Sequence, residues 1–417
     1  MVKPIIIPWG AWSGEDEIHI LEFPDSWDIQ MFDMRDAEDI KSPKAIESAL
    51  RNPIGTLAIR DLANGKNTAV IVVEDISRPT KCGPICEQVL KELNGAGIPD
   101  ENVTLIGAIG AHRPMRREDY IKKVGPEIVE RINIENHHPY ENLQEIGESE
   151  LGTPILVNKT YYEADVKIAV GTVIPHPLAG FGGGAKIILP GICGIETLEA
   201  NHEAALGGKG VGLGFITERR KDIEDVCKRV GLDFSINIIA TKHRGIAGIF
   251  TGHFVEAHRK AIELAREVYR LEIPDLAEGD KLDIGLFNLF PEDTELSQAA
   301  KGTNLFMKAE KMLKEEAAVI FMTSSYEGRG FHGLLGETGG RLYDDWIEAV
   351  EVLLEFCEEK AFAIYSPNLS RADVAHYWTE DMGFYSDFSD VIKSVEEEVE
   401  GPPKAGVFTT SIQLPSS

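Results

Sequence analysis

The chain has 417 residues, of which 43% are hydrophobic and 27% charged, a composition typical of a soluble globular protein with more than one domain. Its 42 basic and 69 acidic residues give a formal net charge of −27, which argues against nucleic acid or an anionic membrane as a partner. No signal-peptide pattern and no membrane-length apolar run is present, so we expect a cytoplasmic protein. The five cysteines form no CxxC pairs and are predicted to be reduced thiols. They are Cys82, Cys86, Cys193, Cys227 and Cys357.

Alternating short apolar runs and helical patterns predict parallel βαβ units in the first part of the chain. The predicted strands there are Ile5–Pro8, Thr68–Val73, Val103–Ile109, Ile132–Glu135, Ile155–Asn158, Val166–Val173, Ile236–Ala240 and Ile246–Phe250. The predicted helices are Pro84–Leu93, Arg117–Val124, Pro126–Arg131, one that starts near Glu196, and Phe254–Tyr269. The acidic stretch that follows the first strand, up to Asp39, is expected to be irregular.

A break in the periodicity at Leu271–Lys281 predicts a domain boundary. A second α/β pattern follows it, with strands at Ile284–Leu289, Ala317–Thr323, Phe362–Tyr365 and Gly406–Thr409. We therefore predict an α/β fold with two α/β domains, residues 1–273 and 274–417, mainly parallel sheets, and a cofactor and substrate cleft between the domains.

The stretch Gly171–His202 concentrates groups that carry chemistry. It contains His176 between two prolines, the glycines of Gly180–Gly184, then Lys186, and His202 on a predicted helix. The glycine run matches neither the P-loop nor the dinucleotide fingerprint, and a glycine cluster alone is most often only a turn. Two histidines, a lysine and four glycines in one segment instead favour a site for a phosphate-bearing cofactor, with backbone amides against an anion.

Three further groups follow predicted strand ends, where parallel sheets bind ligands. Asp75 and Arg78 follow one strand, His112 follows the next, and Gln298 with Lys301 follows the first strand of the second domain. Arg78 is suited to grip a carboxylate, Lys301 adds a second cation, and Gln298 can bond to a hydroxyl. Each residue alone is more simply explained by a surface salt bridge or a polar helix face, whereas their combination favours a site.

Four motifs carry a resemblance to a known family over nearly the whole chain. EDISRPT (residues 74–80), GAHRPM (110–115), HPLAGFGGGAKIILPGI (176–192) and NH (201–202) resemble the nickel-pincer-dependent lactate racemase family of 2-hydroxy-acid racemases and epimerases. The resemblance implies a nickel-pincer nucleotide cofactor, which is a nickel complex of a pyridinium-3,5-bisthiocarboxylic acid mononucleotide that accepts hydride. It also implies two α/β domains with the cofactor in the cleft.

The resemblance also implies a role for each matching residue. His202 would be the protein ligand to nickel, Lys186 would form a thioamide with the cofactor, and His112 and His176 would be the paired acid/base histidines. The remaining residues assigned to the cofactor are Asp75, Gly182, Gly183 and Gly184. Those assigned to the substrate are Arg78, Gln298 and Lys301. Ser297 stands where lactate racemases carry an aromatic residue, which favours a 2-hydroxy acid larger or more polar than lactate, and Trp378 is a candidate for the family's substrate-side tryptophan.

The predicted function is inversion of C2 of a 2-hydroxy acid by reversible hydride transfer, with cofactor-synthesis proteins as maturation partners. The residues agree with this chemistry, because histidines can move a hydroxyl proton near neutral pH, whereas hydride needs a cofactor. Two alternatives stay open. One is a metal-dependent hydrolase or lyase in which His112, His176 and His202 bind zinc. The other is a non-catalytic binder of an anionic metabolite that uses Arg78 and Lys301.

Overall fold

A computed structural model describes residues 2–14, 16–206, 214–336, 340–356, 360–380 and 382–416. The strands are β1 (Val2–Pro8), β2 (Ile18–Pro24), β3 (Asp28–Phe32), β4 (Ala69–Glu74), β5 (Val103–Ala108), β6 (Asn133–Asn136), β7 (Leu143–Glu148), β8 (Pro154–Asn158), β9 (Val166–Thr172), β10 (Pro175–His176), β11 (Gly180–Phe181), β12 (Phe234–Ala240), β13 (Ile246–Gly252), β14 (Arg270–Leu271), β15 (Leu282–Asn288), β16 (Leu313–Met322), β17 (Ala361–Tyr365), β18 (Gly383–Tyr385), β19 (Lys404–Phe408) and β20 (Leu414–Pro415).

The helices are α1 (Pro43–Arg51), α2 (Ile59–Leu62), α3 (Gly83–Gly95), α4 (Arg117–Val124), α5 (Pro126–Arg131), α6 (Lys159–Glu163), α7 (Ile195–Leu206), α8 (Glu218–Val230), α9 (Glu256–Val268), α10 (Leu296–Ala299), α11 (Asn304–Ala309), α12 (Tyr343–Phe356), α13 (Arg371–Tyr377) and α14 (Phe388–Glu398). None of these helices, over the described residues, is long and apolar enough to cross a membrane.

The chain forms two compact units. Residues 36–268 form the central unit, and residues 1–35 with 269–417 form the terminal unit. The predicted boundary lay at 273/274 and left the N-terminal residues with the first domain. The structure differs because β3 pairs in parallel with β19, which joins residues 1–35 to the C-terminal part. The acidic residues up to Asp39, which were predicted to be irregular, include strand β2, which pairs with β1. The prediction missed β2 because Ile18 and Ile20 are exposed, so its apolar residues do not mark one buried face.

The central unit has a six-stranded sheet in the order β13-β12-β9-β4-β5-β6. Only the β12/β13 pair is antiparallel among its described neighbours. All six residues of β4 are buried, as expected for a parallel strand covered on both faces. The strand order places β4 between β5 and β9, so the loops that follow these three strands leave the same edge of the sheet.

The terminal unit has a second six-stranded sheet, β18-β17-β16-β15-β19-β3, in which every neighbouring pair is parallel. One core cluster around Phe287, Phe306 and Phe321 includes Trp378, and a separate cluster includes Trp27 and Phe388. The prediction of an α/β fold with mainly parallel sheets is therefore confirmed. Cys82, Cys86, Cys193 and Cys227 are buried free thiols, whereas Cys357 lies outside the described residues.

Candidate functional site

A buried carboxylate orients the first predicted histidine. Asp75 follows β4 and His112 follows β5, and their Oδ2 and Nδ1 atoms are 2.6 Å apart. Ser77 donates its N–H to the other oxygen of Asp75 at 2.7 Å. Burial alone would raise the pKa of Asp75, but the charge and hydrogen bond of His112, together with Arg78 and Ser77, lower it well below its usual value. Asp75 is thus a carboxylate that accepts the Nδ1 proton of His112, which fixes the tautomer of the neutral ring.

A second ion pair, which the sequence analysis did not identify, lies directly beneath this loop. Glu74 accepts hydrogen bonds from the N–H of Thr80 at 3.2 Å and from the N–H and Oγ1 of Thr172 at 2.8 and 2.7 Å. Lys123 is fully buried, and its Nζ donates to Glu74 Oε1 at 3.3 Å and to the Arg78 carbonyl at 2.9 Å. Both ends of the Asp75–Arg78 turn are therefore held by buried polar contacts.

The second predicted histidine, His176, lies on a short hairpin. It ends β10, which pairs antiparallel with β11 directly after β9. Its Nδ1 accepts the backbone N–H groups of Leu178 and Ala179, each at 3.2 Å. Because Nδ1 is the acceptor, a neutral His176 carries its proton on Nε2. This is the opposite tautomer to that of His112.

The glycine run packs against the protein's own polar groups. The N–H of Gly184 donates to Asn237 Oδ1 and that of Gly182 to a backbone carbonyl, each at 2.8 Å. Gly183 and Gly184 have positive φ values of 70° and 55°, and a Cβ on Gly184 would lie 2.7 Å from Arg220 Nη2. The expected bare amides are thus not found at Gly182 and Gly184, since both N–H groups already have acceptors, and packing against Arg220 requires glycine at residue 184. Their assignment to the cofactor stays a prediction.

His202 lies on α7 as predicted, with an environment suited to a metal ligand. Its Nδ1 donates to the Leu198 carbonyl at 2.7 Å, so the neutral ring carries its proton on Nδ1 and presents Nε2 as its electron-pair donor. Burial first, then Arg219, and more weakly Lys186 and His112, lower the pKa of His202 to about 3. The imidazole is therefore neutral, as a metal ligand must be. The same charges identify Lys186, from the 3-10 turn Gly184–Ile187, and His112 as neighbours of His202.

Arg219 is a site cation that sequence reasoning missed. It lies in the first turn of α8 and donates from Nη2 to the His202 carbonyl. Its side chain is buried, and Nε and Nη1 have no hydrogen-bond partner in the described part of the chain. No sequence motif includes this position. The sequence of α8 does not distinguish Arg219 from the adjacent Arg220, so it does not predict that Arg219 lies beside His202.

The residues predicted from the C-terminal part lie in the terminal unit. Gln298 is buried on α10, and Lys301 Nζ donates to Glu292 Oε1 at 2.9 Å. Ser297 Oγ donates to the buried Glu295 carboxylate. The roles of Lys301 and Gln298 toward a substrate stay predictions. Trp378 is 1% exposed and stacks on Phe321 in the core, with ring centroids 5.8 Å apart.

The three-histidine zinc alternative lacks a ligand set in the structure. Within the described part of the chain, no three His, Cys, Asp or Glu side chains lie together as they would around a metal ion.

Comparison with known proteins shows a similarity to lactate racemases. Residues 14–214 match the family model described as lactate racemase N-terminal domain. Two proteins named lactate racemase, from Lactiplantibacillus plantarum and Thermoanaerobacterium thermosaccharolyticum, are each 29% identical to the chain over 299 and 293 residues. These matches cover 70% and 69% of this chain and 69% and 67% of the relatives.

Solved structures show the same fold. The lactate racemase apoprotein from Thermoanaerobacterium thermosaccharolyticum matches with a TM-score of 0.76 at 23% identity and covers 100% of both chains. A crystal structure of a protein from Thermotoga maritima matches with a TM-score of 0.66 at 19% identity, over 91% of this chain and 99% of that one. In sequence the chain is similar to proteins named lactate racemase, and it has the fold of the lactate racemase apoprotein.

Proposed function

We propose that the protein inverts C2 of a 2-hydroxy acid, with lactate and larger or more polar 2-hydroxy carboxylates as candidate substrates. The two relatives named lactate racemase support the reaction. The observation that carries the proposal is the 2.6 Å contact between His112 Nδ1 and the buried carboxylate of Asp75. A histidine held in this way has one defined acid/base atom, which a racemase needs to move the substrate's hydroxyl proton.

His112 is the proton acceptor in this proposal. Its Nε2 takes the hydroxyl proton of one enantiomer, and the resulting imidazolium is stabilised by Asp75, whose pKa is far below the working pH range. His176 starts in the opposite tautomer, since Nδ1 already accepts two backbone N–H groups. Its Nε2–H therefore donates a hydrogen bond to a substrate oxygen and keeps its proton. The His112 imidazolium returns the proton that it took when hydride returns to the other face of C2, which restores both histidines to their starting states.

A nickel-pincer nucleotide is our proposal for the cofactor, which would supply hydride acceptance and return when bound. The neutral imidazole of His202, oriented by the Leu198 carbonyl, has the chemistry of a nickel ligand. Lys186 lies within electrostatic range of His202 and is our candidate for the covalent thioamide. Asp75 and the glycines Gly182–Gly184 remain our further cofactor candidates. We also propose that dedicated cofactor-synthesis proteins mature the enzyme.

Three residues are our candidates for contacts to the substrate. Arg78 would hold the carboxylate bidentately, Lys301 would add a second positive charge, and Gln298 would bond to the hydroxyl. The Lys123 contact to the Arg78 carbonyl supports the first assignment, because it fixes the backbone from which the guanidinium extends.

The test is a racemisation screen of the holoenzyme, produced together with the cofactor-synthesis proteins. Single enantiomers of lactate, malate, an aromatic 2-hydroxy acid and a sugar-derived 2-hydroxy acid are incubated, and the opposite enantiomer is measured by chiral chromatography. We expect inversion of at least one substrate and its loss in His112→Asn. A holoenzyme with bound nickel that inverts none of them would contradict the proposal.

A further inference from the structure

We propose that Arg219 binds an oxyanion, the phosphate of a nucleotide, through its Nε and Nη1 nitrogens beside His202. The inference deepens the proposed function, on which it rests for the identity of the nucleotide. It starts from an unusual feature of the fold, which is a buried guanidinium whose hydrogen bonding is incomplete. The side chain is 8% exposed, and among the described residues only its Nη2 donates to an acceptor, the His202 carbonyl.

The adjacent arginine shows what complete pairing looks like on the same helix. Arg220 is fully buried and donates to Glu224 Oε1 at 2.9 Å, to the Phe181 carbonyl at 3.0 Å and to the Gly183 carbonyl at 3.1 Å. Its guanidinium thus has a carboxylate and two carbonyls and serves the packing of the glycine run. Arg219 lies in the same first turn of α8, but among the described residues its guanidinium donates only to the His202 carbonyl. Buried charges that lack a protein partner are expected to meet one from a ligand.

Asp222, the acid whose charge acts on Arg219, already accepts hydrogen bonds from other residues. Asp222 raises the pKa of Arg219 through its charge, but burial outweighs this effect and lowers it to about 10. The carboxylate of Asp222 accepts hydrogen bonds from Ser149 at 2.5 Å and from Thr153 and Asn201, each at 2.8 Å. No hydrogen bond or ion pair joins Asp222 to Arg219 over the described residues. The guanidinium therefore keeps its charge and its donors available for another anion.

The surroundings of Arg219 favour an anion. Arg219, Lys186 and His112 all act on His202 as positive neighbours, within a chain whose formal net charge is −27. Arg219 also lies at the N-terminus of a helix of 13 residues, where unpaired backbone N–H groups add positive potential. Local concentration of cations on an acidic protein is the arrangement that attracts a specific anion.

A phosphate suits this position better than the substrate's carboxylate in our proposal. Residues 182 and 184 of the glycine run, the expected phosphate contacts, use their N–H groups within the protein. The phosphate therefore needs another donor close to Lys186 and His202, and Arg219 supplies one with charge-assisted hydrogen bonds. The substrate carboxylate already has Arg78 as its candidate partner.

The test measures binding to the full-length chain made without the cofactor-synthesis proteins. Inorganic phosphate, nicotinic acid mononucleotide and L-lactate are titrated in turn by calorimetry at fixed ionic strength. The variants are Arg219→Gln and Arg219→Lys. The matched control is Arg229→Gln, which removes the same charge from the other end of α8, where Arg229 pairs with Asp225 at 2.9 Å and is 42% exposed.

We expect Arg219→Gln to weaken both phosphate probes about tenfold or more, Arg219→Lys to recover part of the loss, and Arg229→Gln to bind as the parent does. Equal phosphate affinity in the parent and Arg219→Gln would overturn the proposal, as would a loss confined to L-lactate. If Arg219→Gln does not fold, as judged by circular dichroism, the phosphate affinities of the parent and Arg219→Lys are compared instead, and equal affinities would overturn the proposal. These outcomes do not depend on racemisation, so a chain that inverts no 2-hydroxy acid could still bind phosphate through Arg219.

Discussion

Replacing Asp75 with asparagine tests the part of the site that is best defined by geometry. The substitution keeps the size of the side chain but removes the negative charge that faces His112 Nδ1 at 2.6 Å. An asparagine can also present its N–H₂ group to the ring, which favours the wrong tautomer. A hydrogen bond to a charged group contributes ~1.5–3 kcal/mol, which corresponds to a loss of about tenfold to a hundredfold in kcat.

The same change has a defined pH signature in stability. The pKa of Asp75 is lower in the folded protein than in the unfolded chain, so its stabilising contribution is present above the unfolded value. The contribution is lost as the pH falls through the acid range toward the folded value. We therefore expect the parent to unfold at a higher temperature than Asp75→Asn at neutral pH, and the difference to shrink below about pH 4.

The measurements are racemisation kinetics of the holoenzyme and thermal unfolding between pH 3 and pH 8. Asp165→Asn is the control, because Asp165 precedes β9 and so lies at the opposite edge of the sheet. In the described chain it accepts hydrogen bonds only from the N–H groups of Asn67 and Thr68 and from the Thr68 hydroxyl. It should lose some stability and keep kcat. The reasoning about the Asp75–His112 pair is refuted if Asp75→Asn racemises at the parent rate.

Four other substitutions give separate tests. His202→Ala should abolish nickel retention by the holoenzyme, measured by metal analysis, whereas a variant with stoichiometric nickel and turnover would show that the ligand is another residue. Arg78→Ala and Lys301→Ala should each raise KM or lower kcat/KM at least tenfold with a change of only a few degrees in Tm. A loss of activity that parallels the loss of Tm would instead indicate structural salt bridges. Lys123→Met should lower the free energy of unfolding by ~3–5 kcal/mol in chemical unfolding, since it leaves the Glu74 carboxylate buried without its cation. An unchanged free energy of unfolding would mean that the hydrogen bonds from Thr80 and Thr172 are enough to stabilise the buried carboxylate.

The sequence predicts the main sheet of the central unit well. Buried apolar runs identify β4, β5 and β9, and the rule that ligands bind at the carboxyl ends of parallel strands brings Asp75, His112 and His176 to one edge. Sequence periodicity does not predict that β3 joins β19, because strand pairing between residues nearly 400 positions apart depends on the whole fold.

The details of the site depend on contacts that no local pattern encodes. The glycines of residues 182–184 were expected to face an anion, but two of their N–H groups bond within the protein around Arg220. Arg219 and Arg220 are adjacent in sequence, yet one completes a buried network and the other has unpaired donors. The tautomers of His112 and His176 likewise follow from Asp75 and from two backbone N–H groups, which only three-dimensional structure reveals.

The fate of the hydrogen on C2 tests the central claim most directly. Two histidines could in principle remove the C2 proton itself, and that hydrogen would then exchange with the solvent. In the hydride route that we propose, the histidines move only the hydroxyl proton, and the C2 hydrogen never mixes with water. The holoenzyme is incubated with one enantiomer of its substrate in heavy water, and the inverted product is analysed by NMR and mass spectrometry. We expect the product to retain its original hydrogen at C2; near-complete deuterium at C2 would contradict the hydride route and the proposed cofactor together.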